Sequence, residues 1–565
     1  MHENGRTEKR GRVRVGTPEA LFALWAVFVA VVGRSIYSFH SFSYLITEPE
    51  RALAKGAIVA VIALSCTAAA QLVASRWGAR EVVRHAPEKP RASIRVFCAC
   101  IAVVLAAAYL LCWLAFYPGA LAYDIRVQLL AVAGIDPWSN WIPILHTLIL
   151  ALFVYLGQLL GGGNAWLVLY SLASIALNVA TYTYLAYWIV TRGYGRRAAV
   201  AVSAVFALDP VFTLMSFNPT KDVLFGCVFV LFILALLDLY LQRDSLCDGR
   251  HLPGKLIARA LVAGIFACLL RNNAPHSLLL AALVLLVASL IGRGRDAGLA
   301  RVRRSAAGVC AAPALAVLVA TSLLYPALGI VRSPFVEPLS VPLNQMAGAL
   351  TNLGGPTSPE LAAAQRYFPF PAPYNPRFAD PAKFSFDDEL AQEDLGEFAK
   401  TYLRLGRAYP GQYLAIALDL DIGYWYPLAD VPDPVADRIY LEIDSYADDE
   451  VAYPVHHTNW LPGLRAWYHS VADHTWAPMN LPIIGFAFST ALPSTAMVVL
   501  LYVAVRFRKR ELLVCLLLGF SYFVAYLIGP VCNFRYVYPI FMLLPLMAVL
   551  LREPDRAQSR FGEGE

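Results

Sequence analysis

Charged side chains are scarce in this sequence. Of its 565 residues only 15% are charged, whereas 58% are hydrophobic, and the mean hydropathy is +0.56. A soluble domain carries about 25% charged and about 45–50% apolar residues, which argues against a soluble enzyme, a disordered chain and a nucleic-acid binder. The net charge of +6 is small for this length and implies no polyanionic partner. Metal-type cysteine pairs are missing too. The ten cysteines lie mostly in apolar runs, where a thiol behaves as a small hydrophobe, and none falls in 331–480, so no disulfide framework holds that stretch. His456, His457, His469 and His474 lack the i, i+4 spacing of a helical metal site. No cofactor is called for, and a divalent metal has no ligand pattern behind it.

Apolar runs of spanning length fill most of what remains. A membrane-crossing helix needs about 20 mostly apolar residues. Candidates are 20–39, 55–75, 96–117, 142–160, 165–190, 198–216, 223–242, 256–270, 277–292, 306–330, 481–505, 512–529 and 536–551. The first carries Arg34 and lacks a small-residue cleavage site, so it is not a signal peptide. Seven stretches (the N-terminus, 76–95, 191–197, 243–259, 293–304, 506–510 and the tail from 552) hold 30 of the 46 Lys and Arg residues. Placing all seven in the cytoplasm works only if 142–160 does not cross. That run begins at Trp138, Trp141 and Pro143, ends in the glycine triplet 161–163, which reads as a turn, and would lie along the outer face. The expectation is an all-α polytopic membrane protein with about twelve spans, a juxtamembrane helix and both termini cytoplasmic.

Three regions follow: an N-terminal transmembrane bundle over 1–330 with a first outer loop at 118–164, an extracytoplasmic segment over 331–480, and C-terminal spans with a cytoplasmic tail over 481–565. The middle segment holds 9 basic and 20 acidic residues, half of all the acids. It shows one helix-like run, 389–408, and an apolar run from Tyr413 to Tyr426 that carries Asp419 and Asp421 and suits a membrane surface. Its acidity repels anionic lipid, so its docking surface is the helix bundle.

With so little charge available, ionisable groups in short outer loops stand out as candidates. They are Asp124 with Arg126 after the third span, Lys221-Asp222 after Pro219, Arg271-Asn272-Asn273, and Arg535-Tyr536. Asn344-Gln345 opens the acidic segment, and His146 sits in an apolar run. A carboxylate in a partly dry site can take a proton from a hydroxyl, and Arg or Lys can hold a phosphate leaving group. Each residue also has a packing reading: a helix-end pair for Asp124 and Arg126, a helix-dipole partner for Asp222, a helix end for Arg271, an interface anchor for Arg535, a cap for the amides, and a satisfied core histidine for His146.

The blocks Tyr117-Pro118-Gly119, Tyr123-Asp124, Pro143, His146-Thr147, Lys221-Asp222, Arg271-Asn272-Asn273, Pro342-Leu343-Asn344-Gln345 and Arg535-Tyr536 with Pro539, in this order, resemble the GT-C superfamily of integral-membrane glycosyltransferases, and most closely a bacterial branch of it. The resemblance implies transfer of a sugar from a polyprenyl-phosphate donor to a cell-envelope glycan, lipid or protein, at the outer face of a bacterial plasma membrane. It implies Asp124 as catalytic base and Asp222 as second acid. Arg535, with Lys221 or Arg271, would hold the phosphate, and Asn272, Asn344, Gln345, Tyr536 and His146 would contact substrate. Where relatives carry a His-His or His-Pro pair before the proline, this chain has Trp141-Ile142-Pro143. The alternatives are a transporter or flippase of a lipid-linked glycan, for which Asp209-Pro210 would break a span, and an inactive membrane scaffold.

Overall fold

The computed structural model describes residues 14–77, 91–243, 254–292, 297–429 and 441–553. Much of the basic charge behind the expected orientation lies outside these residues, at 6–12, 80–89, 250, 293–295 and 556–560, as do Cys247 and the acids at 430–437. Among the described residues the chain is helical, with three isolated β-bridges and no strands.

Among the described residues, seven helices are long and apolar enough to cross a membrane: Thr17–Phe39, Pro49–Ala74, Ser93–Ala115, Ala165–Thr191, Lys221–Leu241, Ala274–Ile291 and Ala297–Ala327. The other five expected spans are shorter or interrupted. Gly254–Leu270 and Arg510–Tyr526 have 17 residues each, roughly 25 Å at 1.5 Å per residue. Residues 198–216 break at Asp209, whose carboxylate accepts the Val211 N–H at 2.9 Å and caps a new helix starting at Pro210. The run 481–505 divides into Pro482–Ala487 and Leu492–Arg506, and 536–551 into Phe534–Phe541 and Leu544–Val549, with proline opening the second piece each time.

Lys221–Leu241 is the most enclosed of the long helices, and one hydrophobic core gathers around it from Arg91–Ala115, Ala165–Thr191, Gly254–Leu270 and Arg510–Tyr526. At its C-terminal end Asp238 is buried, 2.6 Å from Arg192 and accepting the Trp188 indole N–H at 2.8 Å. Glu19 is likewise buried against Arg506 at 2.9 Å. These carboxylates are spent on packing, whereas the N-terminal end of the same helix starts with Lys221-Asp222.

Ile144–Leu159 has 16 residues. It buries His146, Thr147, Leu150 and Val154, and Gly157 lets it approach the Trp166 backbone closely. Its opposite side, Leu148, Leu152, Tyr155 and Leu159, is exposed. That spacing is one helical stripe, as expected of a helix with lipid on one side and protein on the other.

The 331–480 segment has a core of its own, built on Leu343, Met346, Leu350, Phe386, Phe398 and Leu405. The single run anticipated at 389–408 is two helices, Asp388–Glu393 and Leu395–Ala408, because Asp394 turns and caps the second through the Glu397 N–H. The Tyr413–Tyr426 run packs on the first helix: Ala415, Ile422 and Tyr426 join Val29 and Ile36. Its Asp419 is fully buried beside Arg377 and His40.

Candidate functional site

The loop after Arg91–Ala115 is held from two sides. From the bundle, the Trp113 indole and the Ser171 hydroxyl both donate to the Pro118 carbonyl, at 2.8 and 3.2 Å. From the acidic segment, residues 441–460 lie along it as a strap. Leu121 N donates to Ile443 O and Ser445 N to Leu121 O, at 3.1 and 2.8 Å. The Tyr446 hydroxyl donates to Tyr123 O at 2.8 Å, and Tyr123 N donates to the Glu442 carboxylate at 3.1 Å. Asn218 Nδ2 donates to Glu442 O at 2.8 Å. Further along, Trp460 stacks on Tyr117 at 4.6 Å, and His457, paired with Asp448, reaches the Gly119 carbonyl at 2.8 Å.

Gly119 has no room for a side chain, because a Cβ would run into Ser171 and Leu167. Gly119→Ala is therefore expected to cost about 1–3 kcal/mol through overpacking and to loosen the loop. Thermal unfolding of the detergent-solubilised protein checks it.

The loop delivers Asp124 to the start of the helix Ile125–Val132. Asp124 does not pair with Arg126, which lies over the Tyr446 ring instead. Its carboxylate pairs with Lys221 Nζ and with Arg535 Nη1, the latter at 3.0 Å. Burial alone would raise its pKa, but Arg535 and Lys221 outweigh burial and hold the carboxyl well below the usual carboxylate range. Lys221 opens its helix behind the cap residue Thr220, and Asn533 caps the helix carrying Arg535 by accepting the Arg535 N–H at 3.0 Å.

The second ion pair, Asp222 with Arg271, is buried on both sides. The Arg271 guanidinium packs over Tyr536 at 5.1 Å and Tyr522 at 5.5 Å. Arg535 lies over the same Tyr536 ring at 5.0 Å and over Tyr123 at 4.9 Å. One phenol ring thus stands between the two arginines and joins the pairs into a single cluster of two carboxylates and three cations.

The other sequence candidates take no part in these ion pairs. Asn272 donates to the carbonyls of Asn140 and Trp141 at 2.8 and 3.1 Å, fixing the loop beside a groove flanked by Trp138, Trp141 and Gln128. His146 is fully buried, with one ring nitrogen on Gln128 and the other on Tyr170, so both are occupied. Gln345 is spent inside the acidic segment, donating to Tyr413 O and accepting from the Tyr402 hydroxyl at 2.9 and 2.7 Å. Asn344 is fully buried, and neither amide atom has a hydrogen-bond partner. No group of three metal-ligating side chains occurs among the described residues. Sequence reasoning missed Glu442, because only strap pairing over some 320 positions brings it to Tyr123.

The match to known families covers residues 138–563. The chain belongs to a family of unknown function, DUF6020. The matched stretch contains Lys221, Asp222, Arg271, Arg535 and Tyr536 and starts after Asp124. No curated protein and no solved structure matches the chain.

Proposed function

We propose that the protein is a membrane glycosyltransferase of the GT-C type, moving a sugar from a polyprenyl-phosphate donor to an acceptor on the face that carries the 331–480 segment. In this reading that face is extracytoplasmic, the shorter apolar helices complete twelve crossings, and both termini are cytoplasmic. The carrying observation is the convergence of Lys221, Arg535 and Arg271 with Asp124 and Asp222 around Tyr536. Three cations at one end of an apolar bundle suit a lipid phosphate, whose charge grows as the glycosidic bond breaks. Arg535 offers a planar fork and Lys221 a point charge. The strap and the segment behind it would cover the cleft. The transporter reading is less well supported, because the carboxylate at the Asp209–Pro210 break is occupied as a helix cap.

Asp124, ion-paired twice, is a weak proton acceptor. It serves as the counter-ion that holds Lys221 and Arg535 at the spacing a phosphate needs. Asp124→Asn is thus expected to tighten binding of polyprenyl phosphate several-fold, by removing a like charge, while slowing transfer. Unchanged affinity with abolished transfer would return Asp124 to the role of base. The reading as a whole is tested with full-length protein in proteoliposomes, a panel of radiolabelled polyprenyl-phosphate sugars, and acceptors extracted from the envelope. Label should move to an acceptor from at least one donor, and a chain inert with the whole panel would refute glycosyl transfer.

A further inference from the structure

Tyr123, the residue before Asp124, has a positive φ of 58°. The left-handed region is unfavourable for any residue with a Cβ and a genuine outlier for a bulky one, so tertiary contacts must hold it there. The strap supplies them, bonding to all three polar groups of Tyr123. The Tyr123 N–H donates to the Glu442 carboxylate at 3.1 Å, the hydroxyl accepts the Glu442 N–H at 3.2 Å, and the carbonyl accepts the Tyr446 hydroxyl at 2.8 Å. Glu442 is itself fixed, because its carboxylate accepts the Ser445 hydroxyl and its carbonyl accepts the Asn218 amide, both at 2.8 Å. Asn218 lies three positions before Lys221. One strap residue therefore joins the two loops that bring Asp124 and Lys221 together.

This grip sets the Tyr123 ring. The ring is buried and bears on the Arg535 guanidinium at 4.9 Å, while Tyr536 bears on the same group at 5.0 Å. A planar guanidinium with two rings against it is held in orientation, and its donors point outward along its edge. Nη1 meets Asp124 and Nη2 donates to the Tyr536 hydroxyl at 3.3 Å, but Nε is shielded from solvent and has no hydrogen-bond partner. A buried donor left unpaired is costly, more so on a charged group, and a phosphate oxygen would satisfy it.

We propose that Tyr123 is the positioning residue of the phosphate clamp: gripped by the strap, it fixes the orientation in which Arg535 meets the phosphate of a lipid-linked donor. This rests on the glycosyltransferase reading through the clamp alone. Released from the strap, Tyr123 relaxes to a negative φ, its ring turns away from Arg535, and the peptide leading into Asp124 turns with it. Donor affinity thus depends on how the 331–480 segment is docked, although no residue of that segment needs to touch the phosphate.

The test measures binding rather than turnover. It uses full-length protein in nanodiscs and two probes, polyprenyl phosphate and the polyprenyl alcohol that lacks the phosphate. Removing the Glu442 carboxylate would also remove a charge near the cations, so the substitutions are uncharged. Tyr123→Leu should weaken binding of polyprenyl phosphate about tenfold, and Tyr123→Phe, which keeps the ring, should recover most of that loss. Tyr446→Phe should weaken it about threefold. In a Tyr123→Leu background the same change should add nothing, because it acts through Tyr123. Binding of the alcohol should be equal in all variants. A merely structural role would lower the folded fraction and leave the dissociation constant of the folded protein unchanged. If Tyr123→Leu binds polyprenyl phosphate within about twofold of wild type, or its effect and that of Tyr446→Phe simply add, the assignment of Tyr123 is overturned while the clamp stands. If wild type binds polyprenyl phosphate no tighter than the alcohol, the clamp and the glycosyltransferase reading fall with it.

Discussion

Replacing Arg535 by alanine is expected to lower transfer from a polyprenyl-phosphate donor by about two to three orders of magnitude, the usual cost of removing a positioned group that meets charge developing in the transition state. The fold should survive, because Asp124 keeps Lys221 as a partner and Tyr536 keeps Arg271 against its ring. Arg535→Lys should recover only part of the loss, since an ammonium brings the charge without the fork. Binding of polyprenyl phosphate, measured beside transfer, should weaken in the order wild type, lysine, alanine. An alanine variant that binds and transfers like wild type would remove the phosphate clamp from the mechanism.

Arg271→Met should have the largest effect on stability. Its partner Asp222 is fully buried at the start of the central helix, so truncating the arginine leaves a carboxylate without a counter-charge. Breaking a buried pair from one side costs about 3–5 kcal/mol, whereas replacing both members by apolar groups is often neutral. Arg271→Met alone should therefore express poorly and unfold at lower temperature. Adding Asp222→Leu should restore the folded yield but not transfer. If the double variant transfers at the wild-type rate, the pair serves packing alone.

The residues of the cluster were legible in the sequence because a chain that is 15% charged has few places to put a lysine or aspartate, and four short loops carry Asp124, Arg126, Lys221, Asp222, Arg271 and Arg535. Their partners were not legible. Asp124 could pair with Arg126 two positions on, and only tertiary structure brings Lys221 and Arg535 to it. Hydropathy located the apolar helices, and Asp209-Pro210 marked one break in advance, but the divisions within 481–505 and 536–551 were not legible. Gln345 and His146 carry suitable polar groups, yet their partners Tyr402, Tyr413, Gln128 and Tyr170 were invisible until the segments folded.

The spacing of Asp124, Lys221 and Arg535 along the chain also dictates an order of assembly during synthesis. Asp124 gains its first cation once Lys221 has emerged. Its second lies about 400 residues downstream, which at about 5–20 residues per second means a wait of roughly 20–80 s. The strap at 441–460 arrives within the same interval, shortly before the last cation. A ribosome that terminates early thus releases a chain with the Asp124–Lys221 pair but without the third member, and completeness of the polypeptide is written into the charge cluster itself.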